Sequence, residues 1–368
     1  MACWVPQIAV TQGMAMSASS ETGTKKDGLA VQVWLFCLCV LIFAMVLVGG
    51  ATRLTDSGLS ITEWQPILGI VPPMGEGAWQ EAFAKYRLIP EYELVNKGMS
   101  MDEFRFIYWW EWAHRFLGRM IGFAFLLPFL LFWLTGRISK QLWPKLIVMF
   151  VLGGLQGALG WYMVMSGLVA RVDVSQYRLA AHLCAAVLIF AYIFWVALRL
   201  RREDAQWTAA TRSVRTSAAL LAAGLFLQIG LGAFVAGLDA GQGYNTWPLM
   251  DGAFIPEGLG AMSPWYLNLF ENALTVQFDH RMLAYIIIGW ALAHAALAIT
   301  RFGSGSITLG AGMLFLAVLL QGMLGIATLL AHAPVGLSLA HQAMAIFVFA
   351  IALWHLAQIT PALAPDRR

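Results

Sequence analysis

Eight runs of apolar residues punctuate the chain, at roughly 30 to 50, 107 to 134, 145 to 166, 179 to 198, 216 to 237, 278 to 299, 307 to 330 and 338 to 358. Crossing about 30 Å of hydrocarbon takes about 20 such residues as a helix. Lipid cannot satisfy open backbone groups, so each run predicts a membrane-spanning helix. Two polar connections are long, 51 to 106 and 238 to 277. In the first, Trp79, Ala82, Phe83 and Tyr86 recur at helical spacing beside Glu76, Glu81, Lys85 and Arg87. This predicts an amphipathic helix on the membrane surface, in a connection too long to be unstructured. The expected fold class is all-α, an integral membrane protein.

Composition agrees: 60% hydrophobic and 12% charged residues exclude a soluble core. Cations set the orientation. Lys25, Lys26, Arg137, Lys140, Lys145, Arg199, Arg201, Arg202, Arg212, Arg215, Arg301, Arg367 and Arg368 all fall on one side if the spans alternate. The segment 238 to 277 has no Lys or Arg, and 331 to 337 has no formal charge unless His332 is protonated. Both termini are therefore expected in the cytoplasm, with residues 1–29 a polar tail leading into an uncleaved anchor and 359–368 a second tail. The net charge of +3 is a matter of topology, and no basic stretch interleaved with aromatics implies a nucleic-acid partner. Cys3, Cys37, Cys39 and Cys184 lie in the tail or the spans, which leaves the outer loops without a disulfide framework.

The chain repeats itself. Leu155-Gln156-Gly157-Ala158-Leu159-Gly160 matches Leu320-Gln321-Gly322-Met323-Leu324-Gly325, His114-Arg115 matches His280-Arg281, and Ala181-His182 matches Ala340-His341. The offsets are 165, 166 and 159. Four spans per unit is an even number, so both units insert the same way up, as a parallel repeat. The expected architecture is two four-helix bundles, 30–198 and 216–358, joined by a basic cytoplasmic linker, 199–215.

His114, His182, His280 and His341 each lie a few residues inside an even-numbered span, at one depth near the outer surface. Bundles build cofactor sites from facing helices, and neutral imidazole is a good ligand for haem iron. One bis-histidine site per half is expected, His114 with His182 and His280 with His341. Cys184 is about 200° around its helix from His182 and cannot join the same iron. Gly118, Gly122, Ala186 and Ala284 place small side chains below the imidazoles, where a porphyrin edge would fit or helices would pack closely. Glu111 lies one turn before His114, whereas Gln277 stands before His280. A di-iron carboxylate centre needs a second Glu-x-x-His, which is absent. The lone carboxylate points instead to a proton-handling group, its pKa raised by partial burial, in a first half that holds the reacting group.

Several longer motifs resemble the haem A synthase family, in its proteobacterial and mitochondrial branch. They are Gly49-Gly50-Ala51-Thr52-Arg53-Leu54-Thr55-Asp56-Ser57-Gly58-Leu59-Ser60, Glu63-Trp64, Pro72-Pro73, Glu111-Trp112-Ala113-His114-Arg115-Phe116-Leu117-Gly118-Arg119, Gly243-Tyr244-Asn245-Thr246-Trp247-Pro248-Leu249-Met250-Asp251-Gly252 and Phe278-Asp279-His280-Arg281. The resemblance covers about 30 to 358. It implies oxidation of a ring methyl of haem O to a formyl by successive hydroxylations, giving haem A for terminal oxidases in the cell inner membrane. It further implies a haem b cofactor on His280 and His341, the substrate haem on His114 and His182, and Glu111 as the carboxylate of the chemistry. Arg53, Arg115, Arg119 and Arg281 become candidates for anchoring haem propionates. The implied partners are haem O, handed over by haem O synthase, an electron donor the sequence does not identify, and membrane lipid; a homo-oligomer is left open. Other members carry a cysteine pair in the first outer loop. This chain has none between 51 and 106, so no thiol relay is carried over.

Two alternatives compete. His294 and His355 follow His280 and His341 by fourteen residues, about 21 Å on one helix face. That spacing would suit an electron-transfer cytochrome with stacked haems in the second half. A non-catalytic haem carrier is the other. Trp109, Trp110 and Trp112 read as an interfacial aromatic belt.

Overall fold

The computed structural model describes residues 11–65, 68–170, 172–200 and 209–361. Among them are eleven α-helices and no strand. They are α1 (Thr11–Leu54), α2 (Glu76–Tyr86), α3 (Pro90–Leu94), α4 (Met101–Leu134), α5 (Trp143–Ala170), α6 (Gln176–Arg199), α7 (Ala209–Gly237), α8 (Asn268–Glu271), α9 (Ala273–Phe302), α10 (Ser306–Leu330) and α11 (Val335–Gln358). Eight are long and apolar enough to cross a membrane: α1 from Gly28, then α4, α5, α6, α7, α9, α10 and α11. The protein is an all-helical membrane protein. Arg201, Arg202, Arg367, Arg368 and Cys3 lie outside the described residues.

Helix starts are set by local chemistry. Ser100 and Glu103 form a capping box that satisfies two otherwise orphaned backbone donors at the start of α4. The Asn272 side chain accepts from the backbone N–H groups of Leu274 and Thr275 at the start of α9. The polar pattern places the second span at 107, but the helix begins at Met101, two turns earlier. Phe104 explains the extension: it is fully buried against Phe83, Tyr86 and Trp79 of the outer loop. The amphipathic helix expected in that loop is α2. Its apolar side, Trp79, Phe83 and Tyr86, packs on this protein cap with Leu59, Ile89, Phe104, Ile107 and Val174, where the pattern alone suggested lipid.

A continuous core runs through the spans, from Trp34, Leu35 and Leu38 of α1 through Phe125, Phe190, Leu221, Ile287 and Leu314 to Phe349 of α11. In the first half α1 touches α4 and α6, and α5 touches α4 and α6; in the second, α7 touches α9 and α11, and α10 touches α9 and α11. Contacts of α6 with α7, α1 with α11 and α6 with α11 join the two sets.

Candidate functional site

Four imidazoles meet in two pairs. His114 of α4 faces His182 of α6 with ring centroids 6.5 Å apart and planes at 61°. His280 of α9 faces His341 of α11 at 6.4 Å and 75°. Each ring is seated on a glycine of a neighbouring helix. A Cβ added to Gly49, Gly160, Gly232 or Gly325 would stand 2.9, 3.0, 3.2 or 2.8 Å from the Cε1 of His114, His182, His280 or His341 respectively. A larger residue would push the ring out of place.

Three of the four seats have a second part. Four residues before the glycine, Gln156, Gln228 and Gln321 donate through Nε2 to the backbone carbonyl of His182, His280 and His341, at 2.9, 2.9 and 3.0 Å. The same amide nitrogens stand 3.2, 3.1 and 3.2 Å from Nδ1 of those rings, and for His182 and His280 also 3.4 and 3.3 Å from Nε2, so they lie against the ring. Buried Nδ1 of His114 has no hydrogen-bond partner.

The pairs have the spacing of a metal sandwich. With metal–nitrogen bonds of about 2 Å on each side, and roughly 1 Å from each nitrogen to its ring centre, trans imidazoles have centroids about 6 Å apart. Both pairs match this, so the residues fit a bis-histidine haem iron. His294 and His355 do not. Their Nε2 atoms are 2.9 Å apart in a direct hydrogen bond, their centroids 5.1 Å apart, and both are buried. No iron fits between them, which removes the stacked-haem arrangement drawn from their spacing.

Glu111 is buried on α4. Its Oε2 accepts from Ser60 Oγ and from the Ile61 backbone N–H, each at 2.7 Å; its Oε1 accepts from Arg115 Nε at 3.0 Å and Nη2 at 2.6 Å. Four donors thus surround the Glu111 side chain. The second half repeats the layout without the charge: Arg281 donates to Gln277 Oε1 at 2.9 Å. Arg115 also donates to the carbonyls of Ile61 and Glu63, and Arg281 to those of Tyr244 and Thr246, so each arginine pins its outer loop to the histidine helix.

The remaining arginines also have protein partners. Arg119 donates to the Gln65 carbonyl at 3.0 Å, and Arg53 bridges Asp56 and Asp239, each at 2.8 Å. A cavity of 460 Å³ is lined by the Glu111 partners Ser60, Ile61 and Arg115, with Tyr108, Arg119 and Lys85 among others. At the edge of the cap, Glu91 is buried and its Oε2 has no partner. Burial, together with the charges of Glu111 and Asp56, pushes its carboxyl up to about 8.

Sequence reasoning brought the four histidines, Glu111 and Arg115 together but missed the glutamines, Gly49 and Ser60. The signal was present: Gln and Gly four apart in α5, α7 and α10, with Met45 standing before Gly49 in α1.

A model of the cytochrome oxidase assembly protein family matches residues 32–353. The chain is 54% identical over 348 residues to haem A synthase of Chelativorans sp. (strain BNC1), covering 95% of this chain and 96% of that protein. It belongs to the haem A synthase family. Haem A synthases of Parvibaculum lavamentivorans and Bradyrhizobium diazoefficiens are 54% and 55% identical over 327 and 326 residues. These stretches are 89% and 88% of this chain, and 93% and 90% of those proteins. The family match encloses both histidine pairs, their glycine seats, the three glutamines and Glu111.

Proposed function

We propose that the chain is an oxidoreductase converting haem O to haem A, for use by terminal oxidases. Two imidazole pairs at iron-spanning separation, of which only the His114 pair has a buried carboxylate one helical turn before a ligand, carry this reading. When bound, haem supplies the redox chemistry by which a ring methyl is successively hydroxylated to a formyl. His114 and His182 hold the substrate haem; His280 and His341 hold a haem b cofactor, with Arg281 and Gln277 bracing their site. Glu111, fixed by Arg115 and joined to Ser60 Oγ, accepts or delivers protons beside the substrate. The cap formed by α2 and the loop around Ser60 keeps bulk water from Glu111. Arg115 and Arg119 line the cavity beside Ser60 and present guanidinium groups suited to propionates, whereas Arg53 is committed to Asp56 and Asp239.

The assignment of substrate to the first half has support in packing. Helices α4 and α5 touch only slightly, whereas α9 and α10 pack closely. An apolar macrocycle arriving from the bilayer enters where helices part. The two halves are read as a parallel repeat, the protein as a multi-pass protein of the cell inner membrane with both termini cytoplasmic, and haem O as a ligand delivered by its own synthase.

Pyridine haemochrome analysis of the purified protein is expected to give two haems per chain. Glu111→Gln is expected to keep both haems and their spectra while haem A formation falls by about a hundredfold or more, the usual worth of a general acid or base. Unimpaired conversion in that variant would remove Glu111 from the chemistry, and a single haem would remove the paired-site reading.

A further inference from the structure

Two strong axial ligands leave iron no open position, so one bond must open for the substrate haem to meet any small ligand. The four histidine seats differ in one respect that bears on this. His182, His280 and His341 are each held from two sides, by a glycine against Cε1 and by a glutamine amide that is anchored on the histidine's own carbonyl and stands against Nδ1. Such a ring cannot turn about its side-chain torsions without meeting the amide. An amide nitrogen cannot accept the Nδ1–H of an imidazole bound through Nε2, so what it supplies is a stop that fixes the orientation of the ring.

His114 has the glycine and lacks the amide. Four residues before Gly49, where the other seats have Gln156, Gln228 or Gln321, α1 carries Met45. The Met45 methyl lies 3.3 Å from where a Cβ on Gly118 would be, so the side chain reaches the same helix one turn past His114. A thioether donates no hydrogen bond and is flexible. Nδ1 of His114 is left buried and unpartnered. The difference is confined to one ligand: α7, the counterpart of α1 in chain order, has its glutamine.

We infer that Gln156, Gln228 and Gln321 are clamps that make three axial ligands permanent, and that Met45 leaves His114 as the exchangeable one. In the opening step the iron–Nε2 bond of His114 breaks, the electron pair stays on the imidazole, and an external ligand takes the freed position while His182 remains bound. No electron is transferred and none is needed. His114 lies one turn from Glu111 on α4. This inference rests on the paired-ligand reading of the preceding subsection.

The test is carbon monoxide binding to the reduced, full-length protein loaded with both haems, followed by the Soret band. The wild type is expected to bind at one haem only. Met45→Gln is expected to weaken binding about five- to tenfold, the worth of roughly one hydrogen bond. Met45→Leu, which keeps bulk and adds no amide, is expected to bind as the wild type does. Gln321→Met is expected to let the second haem bind carbon monoxide as well. With two haems present, unchanged binding in Met45→Gln and a closed second haem in Gln321→Met would overturn the inference while leaving the paired sites intact. Fewer than two haems per chain would overturn the paired-ligand reading, and this inference with it.

Discussion

Glu91 is a carboxylic acid kept out of water with half its acceptor capacity unused. Its folded-state value of about 8 lies above the ordinary glutamate value of 4.5, so between those limits the folded protein binds a proton that the unfolded chain has lost. Stability is greatest below about 4.5 from this group and is lost as pH rises through about 8. Melting temperatures in detergent should therefore fall over that window in the wild type, and Glu91→Gln should flatten the slope. An unchanged slope would show that Glu91 is solvated. The sequence concealed this acid, because nothing near Glu91 marks it as buried; its surroundings come from Tyr86 and the distant Glu111 and Asp56. The histidines were legible for the opposite reason. An imidazole in an apolar run is conspicuous, whereas a glutamine such as Gln228 reads as one more polar residue until the ring it touches is known. The arginines were half legible: their number and place were plain, but their partners are carbonyls of irregular loops, which no periodicity announces.

The cap over the first half depends on one aromatic layer. Phe83 of α2 stacks on Phe104 of α4 with centroids 4.8 Å apart, and the Arg87 guanidinium lies 4.1 Å from the Phe83 ring. Replacing a buried Phe by Ala removes about 3 kcal/mol or more. Phe83→Ala should speed tryptic cleavage at Lys85, Arg87 and Lys97 several-fold while the spans resist, as gel analysis of limited digests would show; equal rates would mean the cap is held by something else. The spacing of Trp79, Phe83 and Tyr86 predicted α2 as a helix, yet could not say what its apolar face meets. An amphipathic stripe fits lipid and protein equally well, and only the early start of α4 at Met101 decides between them. The eight spans themselves were legible because apolar length is a local property.

Helix α11 carries a link between the two sets of spans. Gln342, the residue after His341, donates through Nε2 to the Val46 carbonyl of α1 at 3.0 Å. It fits because Gly50 has no side chain: a Cβ there would stand 2.0 Å from Gln342 Oε1. Gly50→Ala and Gln342→Ala should each lower the melting temperature by about one to two degrees, the worth of about 1 kcal/mol apiece in a chain of 368 residues. The double variant should lose little more than Gly50→Ala alone, since both act on one contact. Full additivity in differential scanning calorimetry would refute the link. Three motifs recur in the sequence at nearly equal offsets, but which helices touch could not be read there, because contacts such as α1 with α11 join residues about 300 positions apart.

One rod spans the outer cap and the first imidazole pair. From the Ser100 cap to His114, α4 runs unbroken for about 20 Å, with Phe104, Glu111 and His114 fixed along it. A helix of that length moves as a lever. A pull on the aromatic layer at its Ser100 end would be passed along the helix to the one imidazole of the four that lacks an amide brace.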